Sequence, residues 1–269
     1  MDLFKFLSYG FMQRAVIAGS FIAALCAILG VFLVLRRLSL IGDGLSHVTF
    51  GALALGLFFN VTPVYVALPL VVLSSLGIMK LTEAQYLYGD AAIGIVSALG
   101  IAIGILLVSI TKGFNIDLFS YLFGNILAIT KTEVWMSIGL ATIVIILVAF
   151  FYYDLVAVTF DEECAQAEGI NTKAVNKMLV VLTAITVVLA MKVVGIMLVS
   201  ALLILPTVTA LQVAKGFRMT MLVAVVVAVV SVWTGIMLSF FLDWPSGATI
   251  VLVSLVLFIS SFLYRQIRK

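Results

Sequence analysis

The chain has 269 residues, 65% hydrophobic and only 10% charged, with a net charge of +3. Soluble domains carry about 25% charged residues, so most of this apolar surface has lipid as its natural solvent. The basic residues are scattered over short loops and chain ends without interleaved aromatics, which argues against a nucleic-acid partner. Cys26 sits in an apolar run and Cys164 in a polar loop, a pattern of neither a disulfide framework nor a cysteine-rich metal site.

Runs able to cross about 30 Å of hydrocarbon fall at residues 14–35, 43–59, 64–79, 91–110, 134–152, 176–190, 193–213, 219–241 and 248–264. The expected fold is all-α, a polytopic integral membrane protein with about 8–9 transmembrane helices. The first run ends at Arg36-Arg37 without a small-residue cleavage site and reads as a retained span. No internal repeat and no separate soluble domain stand out, so residues 1–269 read as one transmembrane domain. A phosphate-cradling glycine loop ending in Lys-Ser or Lys-Thr is also missing, so any ATP would be hydrolysed by a partner.

Cytoplasmic loops carry excess Lys and Arg. Placing Arg36-Arg37 inside also puts Lys80, the polar loop 154–176 with Lys173, the turn at 215–218 and the tail with Arg265, Arg268 and Lys269 inside. Residues 60–63, 112–117, Lys192 and 243–247 then lie outside. The expected topology has the N-terminus outside and the C-terminus inside, with Lys5, Arg14, Lys112, Lys131 and Lys192 running against it.

Residues 36–47 open the second span and carry its chemistry. Asp43 and His47 are four apart, so on a helix a carboxylate and an imidazole stack on one face. His47 is the single histidine of the chain, and an ionisable pair inside an apolar span is costly unless it has work to do. Gly44, Gly51 and Ala54 share that face and would let another helix approach closely. One Asp and one His cannot satisfy zinc, which takes four ligands, or three and water, but two copies meeting across a two-fold axis would. The bland reading makes Asp43 the helix N-cap and lets His47 bond to a backbone carbonyl.

Three further segments follow. Residues 117–125 are apolar and aromatic but too short to span, and predict a short helix or re-entrant piece at the outer surface. Residues 160–170 predict a short amphipathic helix with a glycine stop, either an ordinary solvated loop or a rigid element that takes force from a cytoplasmic motor. Pro206 lies deep in an apolar run, where it removes a backbone hydrogen bond; it is a candidate helix break on the pathway, though simple kinking is the plainer role. Lys192 just upstream reads as snorkelling to the headgroups.

Together these segments resemble the permeases of metal-ion ATP-binding-cassette importers, the bacterial zinc and manganese uptake systems. The resemblance rests on Arg-Arg, Ser, Gly-Asp and Ser-His within 36–47, Ser-Ala-Leu-Leu-Ile-Leu-Pro at 200–206, Glu-x-Ala-x-x-x-Gly at 163–169 and Leu-Phe-Gly at 122–124. It implies a homodimer in a bacterial cell membrane, two cytoplasmic ATP-binding subunits and an extracellular metal-binding protein. It assigns Asp43 and His47 to the metal path, and Glu163, Ala165 and Gly169 to the ATPase-coupling helix. Gly44 stands where Ala or Thr is commoner, which implies a more flexible helix start. The expected cargo is Zn2+, since imidazole suits zinc and no second carboxylate accompanies His47, with Mn2+ as the alternative. A gradient-driven secondary transporter would show broken inverted repeats and several intramembrane acids, and a non-transporting scaffold would leave the Asp43–His47 pair unexplained.

Overall fold

The computed structural model describes residues 9–83, 89–111, 118–124, 129–191 and 194–267. In chain order the helices are α1 (Gly10–Leu35), α2 (Ile41–Phe58), α3 (Pro63–Glu83), α4 (Gly89–Ile110), α5 (Leu118–Phe123), α6 (Lys131–Phe150), α7 (Tyr152–Phe160), α8 (Glu162–Ala167), α9 (Thr172–Ala190), α10 (Val199–Val213), α11 (Phe217–Leu242) and α12 (Ser246–Ile267). Eight of them, namely α1 to α4, α6, α9, α11 and α12, are long and apolar enough to cross a membrane. Helices α1 and α2 form the centre, with Phe32, Leu25, Leu45 and Leu53 fully enclosed. Helices α4, α6 and α12 turn Ile105, Ile146, Phe150 and Val256 outward. Such helices are apolar on every side because one face meets protein and the other lipid.

The expected run at 193–213 is a two-part element. A 3₁₀ turn at Ile196–Leu198 precedes the 15-residue α10. Gly195 stands at φ 92° with the backbone of 122–124 against it, and a Cβ there would lie 2.5 Å from the Leu122 carbonyl oxygen. No residue with a side chain fits this conformation and contact, so the regular helix starts only after it. Helix α10 continues through Pro206, which is buried, so the discontinuity of this element lies upstream of the proline.

The loop expected from residue 154 is helical in its first part: α7 follows α6 after Phe151 and buries Leu155 and Val158 three residues apart. The short helix expected at 117–125 is α5, with Asp117 and Asn125 outside the described residues. Lys5, Lys112, Lys192, Arg268 and Lys269 also lie outside them.

One end of the bundle gathers the loops expected to share a side. Phe217 stacks with Phe32 and Phe160, Arg218 lies 6.0 Å over the Tyr152 ring, and Arg36 pairs with Glu162. Arg265 donates to Gln212 at 2.7 Å. Arg36 and Asn176 share a cavity with Met79 and Thr82, the neighbours of Lys80. We call this the basic end. Tyr9 against Phe240, and Gly247 against Val194 and Phe123, mark the opposite end.

Candidate metal site and coupling surface

The turn between α1 and α2 is tightly made. Leu38 N–H donates to Leu33 O at 2.8 Å and Arg37 N–H to Val34 O at 3.1 Å, closing α1 in a Schellman motif with Arg37 at φ 58°. Helix α2 begins at Ile41 with Leu40 before it, so Asp43 is the third helical residue and makes no cap bond. At that position a carboxylate still meets the positive end of the helix dipole. His47 lies one turn on, its Nε2 3.6 Å from Asp43 Oδ2, with side-chain exposures of 21% and 51% respectively. His47 Nδ1 is buried and has no hydrogen-bond partner among the described residues. Neither half of the bland reading is therefore found: Asp43 is not the N-cap and His47 does not bond to a carbonyl. The neighbouring hydroxyls are occupied, Ser46 with Gly42 O at 2.8 Å and Thr49 with Leu45 O at 2.7 Å.

The helix that approaches the small residues of α2 is α4 of the same chain. A Cβ on Gly44 would stand 2.5 Å from Ile93 Cγ2, and one on Gly51 2.5 Å from the Gly100 carbonyl oxygen. A Cβ on Gly100 would meet the His47 carbonyl at 2.7 Å, so α2 is held against α4 backbone to backbone. The looser helix start implied for Gly44 is thus replaced by close packing against Ile93. A concavity of about 570 Å³ between α2, α3 and α4 is apolar apart from Lys80 and Ser74. On α2 it is lined by Val48, Gly51, Ala52 and Leu55; Gly51 is one turn beyond His47, but neither Asp43 nor His47 is in the lining.

Among the described residues no three of His, Cys, Asp and Glu are grouped to hold a metal. The pair found among the described residues is one carboxylate and one imidazole, whereas a closed transition-metal site takes four donors.

Helix α8 is a surface element. Asp161 Oδ1 accepts from Cys164 N at 2.9 Å, capping its start. Ile170 N–H to Ala165 O at 3.0 Å and Gly169 N–H to Gln166 O at 3.1 Å close its end, with Gly169 at φ 90°. Ala165 is its buried anchor, while Glu163, Cys164 and Gln166 are exposed. Its first residue, Glu162, is held from two sides: Arg36 Nη2 at 3.2 Å and Asn176 Nδ2 at 2.8 Å donate to its two oxygens. Sequence reasoning missed this group because 126 residues separate Arg36 from Glu162 and no local pattern links them.

The fold defines a multi-pass helical membrane protein. The profile of the ABC 3 transport family matches residues 8–265, and the chain belongs to that family. It is a transport subunit, with ATP hydrolysis on a separate subunit. The manganese transport system membrane protein MntC of Halalkalibacterium halodurans is 33% identical over 97% of this chain and 89% of its own. The high-affinity zinc uptake system membrane protein ZnuB of Haemophilus influenzae is 32% identical over 94% and 97%. Among solved structures, PsaBC from Streptococcus pneumoniae in complex with Fab superposes with a TM-score of 0.84 at 28% identity, covering 97% of this chain and 95% of that one.

Proposed function

We propose that this chain is the permease subunit of an ATP-driven importer of a divalent transition-metal ion, working as a homodimer with two cytoplasmic ATP-binding subunits and an extracellular metal-binding protein. The observation that carries the reading is the Asp43–His47 pair on α2, two donors on one face with no third beside them among the described residues. Two copies across a two-fold axis supply two imidazole nitrogens and at least two carboxylate oxygens. A ligating imidazole normally donates its other N–H to an acceptor. Nδ1 of His47 is buried and finds none among the described residues, so the support for a shared site is the donor count and not this atom.

In this reading the basic end faces the cytoplasm. Helix α8 then presents Glu163, with Ala165 as anchor and Gly169 as stop, to the ATP-binding subunit. Helix α10 runs on through Pro206, which lacks a backbone N–H and so leaves one carbonyl of the preceding turn without its usual donor on the pathway. The permease makes and breaks no covalent bond; the motor alternates the access of the ion site.

Zinc is the cargo we favour, because a set of two nitrogens and two oxygens suits it, whereas manganese prefers more oxygens. Manganese is the second reading, supported by MntC, which is as similar to this chain as the zinc relative is. The test is ATP-dependent uptake of radioactive Zn2+ and Mn2+ into proteoliposomes holding the permease, its ATPase and its binding protein. Uptake of zinc in preference to manganese, abolished by His47→Ala and by Asp43→Ala with assembly intact, is the expected result. Unchanged uptake in both variants removes these side chains from the path.

A further inference from the structure

We propose that Arg36 and Glu162 form a latch that ties the movement of α8 to the helix carrying Asp43 and His47, making Arg36 a positioning residue for transport. The inference rests on the transport reading above and adds to it the route by which force reaches the ion site. Glu162 is the first residue of α8, and its two oxygens are both committed, one to Arg36 at the end of α1 and one to Asn176 in the first turns of α9. Arg36 is almost enclosed, its side chain 9% exposed against 46% for Glu162. Burial opposes the guanidinium charge and Glu162 supports it, so the cation depends on this one carboxylate. An ordinary surface pair adds little, but one whose cation is enclosed cannot be released without leaving a charge unpaired.

The connection from Arg36 to the ion site has little slack. After the Schellman closure of α1, Ile41 N–H donates to Leu38 O at 3.1 Å and Gly44 N–H to Leu40 O at 3.0 Å, so the turn is bonded to both helices. Asp43 lies seven residues beyond Arg36, and His47 one turn further. Arg36 also lines a cavity of about 180 Å³ with Ile41 of α2, Ile78 and Thr82 of α3 and Asn176 of α9. That cavity brings Arg36 beside residues of α2, α3 and α9 at once. Asn176 Oδ1 is buried without a hydrogen-bond partner on the same wall, leaving the network one open acceptor. A shift of α8 is thereby delivered at two points, the turn that opens α2 through Arg36 and the first turns of α9 through Asn176.

The test uses the full permease–ATPase complex in proteoliposomes with its binding protein, with Zn2+ and Mn2+ as probes. The quantity read is ions taken up per ATP hydrolysed. Arg36→Gln and Glu162→Gln are expected to keep ATPase association and basal hydrolysis while this ratio falls about tenfold. The double variant should be no worse than either single one, and Arg36→Lys should recover part of the ratio. Hydrogen exchange over residues 41–47 gives a second readout: its response to ATPase binding should be present in wild type and lost in Glu162→Gln. Unchanged ratios in both single variants, or losses that multiply in the double one, overturn the latch. Wild-type complex that hydrolyses ATP without moving either ion overturns the transport reading instead, while the exchange experiment still decides the latch.

Discussion

His47 holds its two nitrogens in different settings: Nε2 looks along α2 toward Asp43, and Nδ1 is buried without a partner. Asp43 is half-exposed and caps nothing, so Asp43→Asn should leave thermal stability within about 0.5 kcal/mol of wild type, as for an ordinary surface change. The same variant should abolish metal uptake, a split measured by comparing unfolding in detergent with transport in liposomes. Unfolding shifted by several kcal/mol would mark Asp43 as a structural residue. The pair was legible in the sequence because a spacing of four has one meaning on a helix. Arg36, Glu162 and Asn176 were not legible as a group, since their meeting depends on where α8 docks after the six described helices α2 to α7.

Helices α2 and α4 meet backbone to backbone at Gly51 and Gly100, and Gly104 makes room for the Phe50 ring. Gly100→Leu should push the two apart, lowering stability by about 1–3 kcal/mol, read as a drop in the midpoint of thermal unfolding. Because the His47 carbonyl sits against Gly100, metal uptake should fall with it. At α8 the expected change differs. Gly169→Val forces a branched residue to φ 90°, at a cost of about 1–2 kcal/mol, and should weaken ATPase association while leaving metal affinity of the permease intact. Co-purification and metal titration separate the two outcomes. The small residues of α2 and the glycine stop of α8 were visible beforehand, but the neighbour they serve was not: the stripe on α2 packs against α4 of its own chain. The break before α10 escaped hydropathy because Gly195 lies inside an unbroken apolar run, and only the backbone at 122–124 makes its conformation necessary.

The two cysteines report on the whole molecule without engineering. Cys26 is enclosed in α1 and Cys164 is exposed on α8 at the basic end. A membrane-impermeant maleimide should label Cys164 in inside-out vesicles, fail to label it in right-side-out vesicles, and leave Cys26 untouched in both. Bound ATPase should protect Cys164. Labelling from the right-side-out face would reverse the orientation. Eight of the nine apolar runs were legible as spanning helices from length alone, because lipid requires every crossing segment to satisfy its own backbone; the ninth, 193–213, is the two-part element. The gathering of the basic loops at one end follows the same logic, with charge sorting the loops that hydropathy had only separated.

Arg37 gives that sorting a local form. It holds the left-handed position that closes α1, where glycine is the least strained residue and an arginine costs about 1 kcal/mol. Arg37→Gly should therefore make the folded protein harder to melt. Its expected defect belongs to biosynthesis: with one basic residue fewer beside the first span, more chains should insert upside down, which a reporter fused at either terminus would count. The residue that ends the first helix is then kept for the moment before the fold exists, when only its charge can tell the membrane which way round the chain belongs.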